Sequence, residues 1–297
     1  MSRQLDQSFL LERQGKFDKA IQILQSLVDS GISTGPDLGK AWTLLGLAYK
    51  EQGQFQQAQH AYEQGLHIFE GDEQHTADYA STLEYFAALY RAMRQEQNAI
   101  KMGLKAAAID AQRCDYAGLT RIYTDIAGAA IQQHNKKTAK VYLQKAITES
   151  KLAVGLTDDD SAALDSTEAL FASTNGKTQE AVTKYGQALG LWKSLHGEQH
   201  LFTGWGYVLL GQALATNGQS QDGLVNLQRG LNILEQTVGD QNPKYLVGEI
   251  LYAKVLDQSG RHSEALQLRG QAEQSLEGLL NRQCTNCTVS VATLLQK

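Results

Sequence analysis

The chain has 297 residues, of which 42% are hydrophobic, 20% are charged and only two are prolines, so its composition is not that of a disordered protein. Its formal net charge of -5 gives no general attraction for a phosphate backbone, and we expect no nucleic-acid partner. No run of about 18 apolar residues occurs, so we expect no membrane insertion.

Seven similar segments follow one another along the chain, each with a small residue near its centre. These small residues, called markers below, stand 38 to 42 positions apart and are Ala20, Ala58, Ala99, Ala139, Ala181, Gly223 and Ala265. A fixed period of this size indicates one supersecondary unit copied end to end. Leu5, Phe9 and Leu10 begin an apolar pattern at helical spacing in the first segment, which favours helices.

Each segment is predicted to be a pair of helices. The expected pairs span about 3–30, 37–70, 76–111, 116–153, 160–195, 200–237 and 242–279. In the link before the fifth pair, Thr157 to Ser161 form an N-cap cluster, an interpretation favoured over a calcium loop because the calcium-ligand pattern is missing. Since the marker pattern stops near residue 280, we expect residues 281–297 to cap the last apolar face.

Two further columns of mostly small residues accompany the markers. Twelve positions earlier stand Ser8, Gly46, Ala87, Ala127, Ala169, Gly211 and Ala253, and seven positions later stand Leu27, Gly65, Ala106, Ala146, Ala188, Gly230 and Ala272. Small side chains allow two helix axes to approach closely, so these columns predict the contacts within each pair.

Glycine recurs five residues before the marker in five segments, at Gly15, Gly53, Gly176, Gly218 and Gly260. A glycine at this place supplies the positive φ that ends a helix and turns the chain. In the other two segments the same place holds Arg94 and His134, and we expect looser turns there.

The second segment resembles a known family. Trp42, Leu45, Gly46, Tyr49, Gly53, Ala58, Tyr62 and Gly65 stand at the spacing of the tetratricopeptide repeat (TPR) signature. The resemblance covers about residues 3 to 280. It implies an all-α fold, namely a right-handed α-solenoid of about seven helix-turn-helix repeats that forms a single domain over residues 1–280.

The repeat step of about 42 residues resembles the kinesin-light-chain-like branch of the family, which has an extended second helix and a G-x-x-H-P-like link. The closest link in this chain runs from Gly239 to Pro243. The paired asparagines typical of that branch are missing, since Thr43 and Leu44 stand at the first such place. The carboxylate clamp of chaperone-binding repeats is also not matched, because Thr43 and Leu47 occupy its lysine and asparagine places.

The three cysteines leave several interpretations open. Cys284 and Cys287 have the spacing C-x-x-C, which is compatible with no special role, with a structural disulfide, or with redox or metal chemistry. Cys114 is isolated and is expected to be a small buried or half-buried side chain.

No catalytic, phosphate-binding or dinucleotide-binding motif is found in the sequence, so we expect neither an enzyme nor a cofactor. His196 and His200 are separated by Gly197 in a link, which makes a helical metal face improbable. The other five histidines lie in separate segments and are interpreted as surface or packing residues.

The resemblance implies a concave groove lined by the first helix of each pair. By register with the family, the groove-facing residues are Lys40, Thr43, Leu47, Lys50, Glu84, Ala88, Arg91, Arg121, Thr124, Gly128, Gln132, Ser166, Leu170, Trp205, Val208, Gln212, Val247, Ile250, Lys254 and Asp257. They are candidates for binding a protein or peptide partner.

Two features of this candidate surface carry alternatives. Lys40, Lys50, Arg91 and Arg121 would suit an acidic peptide, although a solvated charged face explains them equally simply. Trp205 would be an anchor on an apolar C-terminal half, or it packs against the link at 197–203.

The sequence therefore predicts a non-catalytic interaction scaffold that holds a peptide or helical segment of a partner protein. The alternative is a sensory or regulatory module whose curvature responds to a small peptide or metabolite. The first residues lack a secretion signal, which slightly favours the cytoplasm unless a leader has been removed.

Overall fold

A computed structural model describes residues 2–31, 34–72 and 75–283 of the chain. These residues form fourteen α-helices and no strand, which confirms the predicted all-α fold. The helices are α1 (Ser2–Arg13), α2 (Phe17–Asp29), α3 (Pro36–Glu51), α4 (Phe55–Phe69), α5 (Thr76–Ala92), α6 (Glu96–Arg113), α7 (Tyr116–Gln132), α8 (Lys136–Ser150), α9 (Asp158–Thr174), α10 (Thr178–His196), α11 (Leu201–Thr216), α12 (Ser220–Val238), α13 (Pro243–Gln258) and α14 (His262–Gln283).

The chain divides into two compact units, Met1–Leu156 and Thr157–Lys297. In the first unit, α1 to α8 pack as four consecutive pairs, and the first helices α1, α3, α5 and α7 also contact one another in that order. In the second unit, α9 to α14 pack as three pairs, and α11 contacts α13.

The small-residue columns lie inside these pairs, as predicted. The markers and the two columns around them are all buried, from Ser8 and Ala20 in the first pair to Ala265 and Ala272 in the last. In the sixth pair the contact is between backbones, because a β-carbon built on Gly223 would lie 2.7 Å from the carbonyl oxygen of Gly211. A β-carbon on Gly230 would lie 2.6 Å from the carbonyl oxygen of Gly204.

The turns within the pairs share one backbone conformation. The five predicted glycines have φ between 70° and 86°, and Arg94 and His134 have φ of 61° and 57°. The backbone hydrogen bonds of the turns also match. The amide of Gln54 donates to the carbonyl oxygen of Tyr49 at 2.8 Å, and the amide of Gln95 donates to the carbonyl oxygen of Tyr90 at 2.8 Å. The expectation of looser turns at Arg94 and His134 is therefore wrong, because the backbone hydrogen bonds that close the glycine turns also form at these two turns.

Capping side chains begin several first helices. Thr157 and Asp160 form a reciprocal capping box at the start of α9, which confirms the capping interpretation of this link. Asn242 accepts a hydrogen bond from the amide of Lys244 at the start of α13. Asp115 accepts one from Gly118 at the start of α7.

The structure describes one of the three cysteines, Cys114. Cys114 is exposed rather than buried, because it occupies the left-handed position that ends α6, at φ 53°. Cys284, Cys287 and almost all of the predicted capping segment lie outside the described residues.

Substituting His134, which is exposed and left-handed, by glycine is expected to raise the free energy of unfolding by about 0.5–1 kcal/mol. The relief of backbone strain exceeds the entropy that glycine adds to the unfolded chain. The matched control is Gly176→Ala, at φ 74° and with nothing near its β-carbon position, which should lower stability by a similar amount. Urea denaturation measures both, and a stability loss in His134→Gly would contradict the assignment.

Substituting Gly223 by alanine is expected to cost about 2–3 kcal/mol, because its β-carbon would push α11 and α12 apart. The control is Gly186→Ala on α10, where no atom lies within 4 Å of the new carbon and helix propensity favours alanine by up to about 1 kcal/mol. Equal effects of the two substitutions on the urea midpoint would contradict the backbone contact.

Candidate functional site

A groove of about 340 Å³ opens on the first unit between the first helices α1, α3 and α5. We call it the N-terminal groove. It is lined by Leu5, Asp6, Phe9, Asp37, Lys40, Thr43, Leu44, Phe69, Asp78, Ser81 and Tyr85. Two of the predicted binding residues, Lys40 and Thr43, are thereby brought together.

The floor of the N-terminal groove is fixed by close contacts. The ring of Phe69 presses on the backbone of α3, since a β-carbon on Gly39 would lie 2.5 Å from its Cζ. The Thr43 hydroxyl donates to the Gly39 carbonyl at 2.9 Å and lies 2.8 Å from the Thr82 hydroxyl, which joins α3 to α5. The floor is thus formed before any ligand arrives.

Aromatic and aliphatic side chains rise beside this floor. Phe9 is 48% exposed and lines the groove, whereas the next residue, Leu10, is 55% exposed and does not. Both had been assigned to the apolar stripe of the first helix. Phe9 therefore faces the groove that α1 forms with α3 and α5, whereas Leu10 lies outside the groove. Leu44 and Tyr85 are half-buried.

Three carboxylates and one ammonium line the N-terminal groove. Asp37 and Asp78 lie in the first turns of α3 and α5, and Asp6 lies on α1. The Nζ of Lys40 is 3.4 Å from a carboxylate oxygen of Asp78. The formal charge of the lining is therefore -2.

The remaining predicted basic residues are neutralised within the first unit. Arg91 pairs with Asp125 at 3.0 Å, Arg121 pairs with Glu84 at 2.9 Å, and Lys50 pairs with Glu51. Each of the four predicted cations, Lys40 included, therefore lies beside a carboxylate, so these cations and their partners carry no excess of positive charge. The repeat register predicts where each cation stands, but it does not predict the carboxylate that pairs with it, which comes from the same helix for Lys50 and from a neighbouring first helix for Arg91 and Arg121.

Several other candidates are core residues. Thr43, Glu84, Thr124, Val208 and Ile250 are each less than 9% exposed. Val208 packs against the backbone of α12, because a β-carbon on Gly230 would lie 2.8 Å from its Cγ2. Val208 and Ile250 therefore belong to the packing of the second unit and not to a solvent-facing surface.

The other candidates remain accessible to different degrees. The half-buried ones are Leu47, Lys50, Arg91, Arg121, Gln132, Trp205 and Gln212, and Lys254 is exposed.

Asp6, Asp37, Asp78 and Tyr85 were not among the predicted residues. Asp37 and Asp78 stand 41 positions apart, as the markers Ala58 and Ala99 do, so an alignment of the first turns of the segments would have found them. No repetition marks Asp6 or Phe9, whose role depends on how α1 packs.

The groups of the N-terminal groove are suited to binding. No cluster of three or more histidine, cysteine or acidic side chains able to hold a metal ion occurs in residues 2–31, 34–72 and 75–283. None of the helices in those ranges is long and apolar enough to cross a bilayer.

Asp110 extends the charged network near the start of α7. Burial, reinforced by the nearby Asp115, raises the pKa of its carboxyl to about 6, against the opposing effects of Arg113 and Arg121. Its Oδ1 accepts a hydrogen bond from Arg113 at 3.1 Å. The raised pKa means that the folded protein binds this proton more tightly than the unfolded chain does.

The stability that Asp110 contributes should be fully present below about pH 4 and should be lost as the pH rises to about 6, because the pKa is higher in the folded than in the unfolded state. Asp110→Asn is expected to remove this slope and to raise the free energy of unfolding at pH 7 by about 1–2 kcal/mol. Urea denaturation at pH values between 4 and 7 measures the free energy of unfolding of the original chain and of the variant. A less stable variant at pH 7 would show that an ionised Asp110 is required.

Comparison with known proteins agrees with this architecture. The model of the tetratricopeptide repeat family TPR_12 matches residues 5–71 and 160–236. A comparison with curated proteins gave no match.

Solved structures share the fold at low sequence identity. The Rap conjugation gene regulator of plasmid pLS20, in complex with the Phr* peptide, is 15% identical and has a TM-score of 0.67, covering 94% of this chain and 73% of its own. A Rap protein complexed with competence and sporulation factor is 14% identical with a TM-score of 0.63, covering 95% of this chain and 96% of its own.

Kinesin light chain repeats are also among the similar structures. The TPR-like repeats from Podosopora anserina are 20% identical with a TM-score of 0.49, covering 70% of this chain and 98% of their own. The family match identifies tetratricopeptide repeats in residues 5–71 and 160–236, and the same helix pairs and left-handed turns recur in the described segments between and after them.

Proposed function

We propose that this protein is a non-catalytic scaffold that binds an extended segment of a partner protein in the N-terminal groove. The observation that carries the proposal is the groove itself, a cleft of about 340 Å³ whose floor is fixed by the Phe69 ring and the Thr43–Thr82 hydrogen bond. A volume of this size accommodates a few side chains of a peptide.

A preformed groove favours binding of a flexible segment. The first helices are held by packing and hydrogen bonds, so most of the ordering cost falls on the ligand alone. Phe9 and Tyr85 offer aromatic surface with few rotatable bonds, which is typical of binding anchors. The affinity would come from apolar burial, with the charged groups selecting the ligand.

The similar structures support a peptide as the bound species. Two of them are described with a bound peptide or factor, namely the pLS20 regulator and the Rap protein. They also favour the second candidate, a regulatory module that responds to a free peptide. Both candidates require a peptide in a groove and differ in whether that peptide belongs to a larger protein.

The side chains of the N-terminal groove support binding without a reaction. Its titratable groups, besides Tyr85, are three aspartates and one lysine, and Ser81 has no histidine beside it in the lining. A nucleophile with a paired base, or an acid and base with separated pKa values, would be needed for hydrolytic chemistry.

Truncating Phe9 to alanine is expected to weaken partner binding about 5- to 30-fold, since burying its exposed ring would contribute roughly 1–2 kcal/mol. Leu10→Ala is the matched control, because Leu10 is the next residue on α1 and is similarly exposed but lies outside the groove. The measurement is quantitative mass spectrometry of proteins captured from the native source by each variant.

A partner that is lost with Phe9→Ala and retained with Leu10→Ala would support the groove as the binding surface. Equal capture by both variants and the original chain would refute it. Urea denaturation of the two variants checks that neither loses its fold.

A further inference from the structure

We infer that the N-terminal groove selects a basic segment, in which Lys or Arg side chains alternate with apolar ones. This inference rests on the proposed function and adds the chemistry of the ligand. The inferred ligand is basic, whereas the predicted basic residues of the chain suggest an acidic ligand. The inference rests on the lining of the groove, which places the three aspartate carboxylates beside the rings of Phe9 and Tyr85, with the ammonium of Lys40 as the single cation.

The first step is the balance of charge. Lys40 is held 3.4 Å from Asp78, so its charge is compensated locally. Asp6 and Asp37 are both exposed, and no hydrogen bond or ion pair is recorded for either among the described residues. These two carboxylates are therefore available to a cation from outside.

The second step weighs the helix termini against these carboxylates. The N-termini of α3 and α5 each contribute about half a positive charge, which stabilises Asp37 and Asp78 in their first turns. This offsets about one of the two excess negative charges. Asp6 is the fifth residue of α1 and is beyond the usual reach of that effect. The groove remains negative, by about one charge.

The third step is the placement of apolar and acidic groups. The pairs Lys40–Asp78 and Thr43–Thr82 show that α3 and α5 run parallel and in register. The aspartates lie in the first turns, and Leu44 and Tyr85 each follow seven residues later on the same helix. A rise of 1.5 Å per residue puts about 10 Å between acidic and apolar parts, a distance that a few extended residues span.

On α5 and α7, the next first helices of the first unit, cations are paired with carboxylates. Arg91 with Asp125 and Arg121 with Glu84 leave no comparable excess. The N-terminal groove differs from these pairs in its excess of carboxylates, and its lining also includes the 48% exposed ring of Phe9. A basic and apolar segment complements both features, whereas an acidic segment would meet Asp6 and Asp37.

The test uses the full chain and two fluorescein-labelled decapeptides. In one, Lys or Arg alternates with Leu or Phe between glycines; in the other, each basic residue is replaced by Glu. Fluorescence anisotropy at low salt is expected to show the basic peptide binding at least about ten times more tightly. Raising the salt to about 0.5 M should reduce this preference, because exposed charges are screened.

The double substitution Asp6→Asn with Asp37→Asn is expected to weaken binding of the basic peptide about 3- to 10-fold, since each exposed pair contributes modestly. Lys40→Gln should strengthen binding about 2- to 3-fold, because it removes the cation and releases Asp78. The matched control is Asp18→Asn, an exposed first-turn aspartate on α2 that lies outside the groove. It should leave the affinity unchanged.

Three results would overturn the inference: tighter binding of the acidic peptide, no binding of the basic peptide up to about 1 mM, or equal weakening by Asp18→Asn and the double variant. The outcome is separable from that for the proposed function. Loss of partner capture by Phe9→Ala, combined with a preference for the acidic peptide, would keep the groove as the site and reject the charge assignment. Unchanged capture by Phe9→Ala would reject the groove.

Discussion

Contact between helix backbones at small residues is the constraint on which the rest of this structure depends. Each pair buries its marker and the residue twelve positions earlier. In the sixth pair these residues are Gly211 and Gly223, where a β-carbon on either glycine would lie within 2.8 Å of the carbonyl oxygen of the other. Interiors packed this closely transmit the position of one element to the next. In the first unit, the contacts Lys40–Asp78 and Thr43–Thr82 then join the first helices α3 and α5 side by side in register.

This register determines the chemistry of the exposed faces. Because α3, α5 and α7 run parallel with an offset of about one repeat, a charged residue on one helix meets a residue at a similar height on the next. Lys40 meets Asp78, and Arg121 meets Glu84. These pairs on α3, α5 and α7 are thereby neutral. The N-terminal groove keeps its excess of carboxylates because α1 contributes Asp6 and Phe9 to the lining but no cation.

The sequence was sufficient to predict the fold because its determinants repeat. The markers, their columns and the turn glycines recur at the same places, and each reports a local requirement for a small side chain or a positive φ. Arg94 and His134 show the limit of this reasoning, since they adopt, with the same backbone hydrogen bonds, the turn that glycine adopts without strain. A propensity describes the cost of a conformation and not whether the fold imposes it.

The candidate site was predicted less well, for physical reasons. Repeat register identifies the helix and the height of a residue, but it does not say whether the next repeat covers it. Val208 is buried because Gly230 admits it against α12, and Thr43 is buried beneath its bond to Thr82. Phe9 is 48% exposed because it lines the open groove that α1 forms with α3 and α5. The sign of the groove's charge depends on which charged side chains pair across helices, and the sequence alone does not show those pairs.

Site-specific photocrosslinking tests the central functional claim most directly. A benzophenone side chain placed at Ser81, within the N-terminal groove, is predicted to crosslink to the partner from the native source, at a peptide that carries basic and apolar residues. The same group at Leu104, an exposed residue of the second helix α6, should give no such product. Crosslinks from Leu104 alone, or equally from both positions, would contradict binding in the groove.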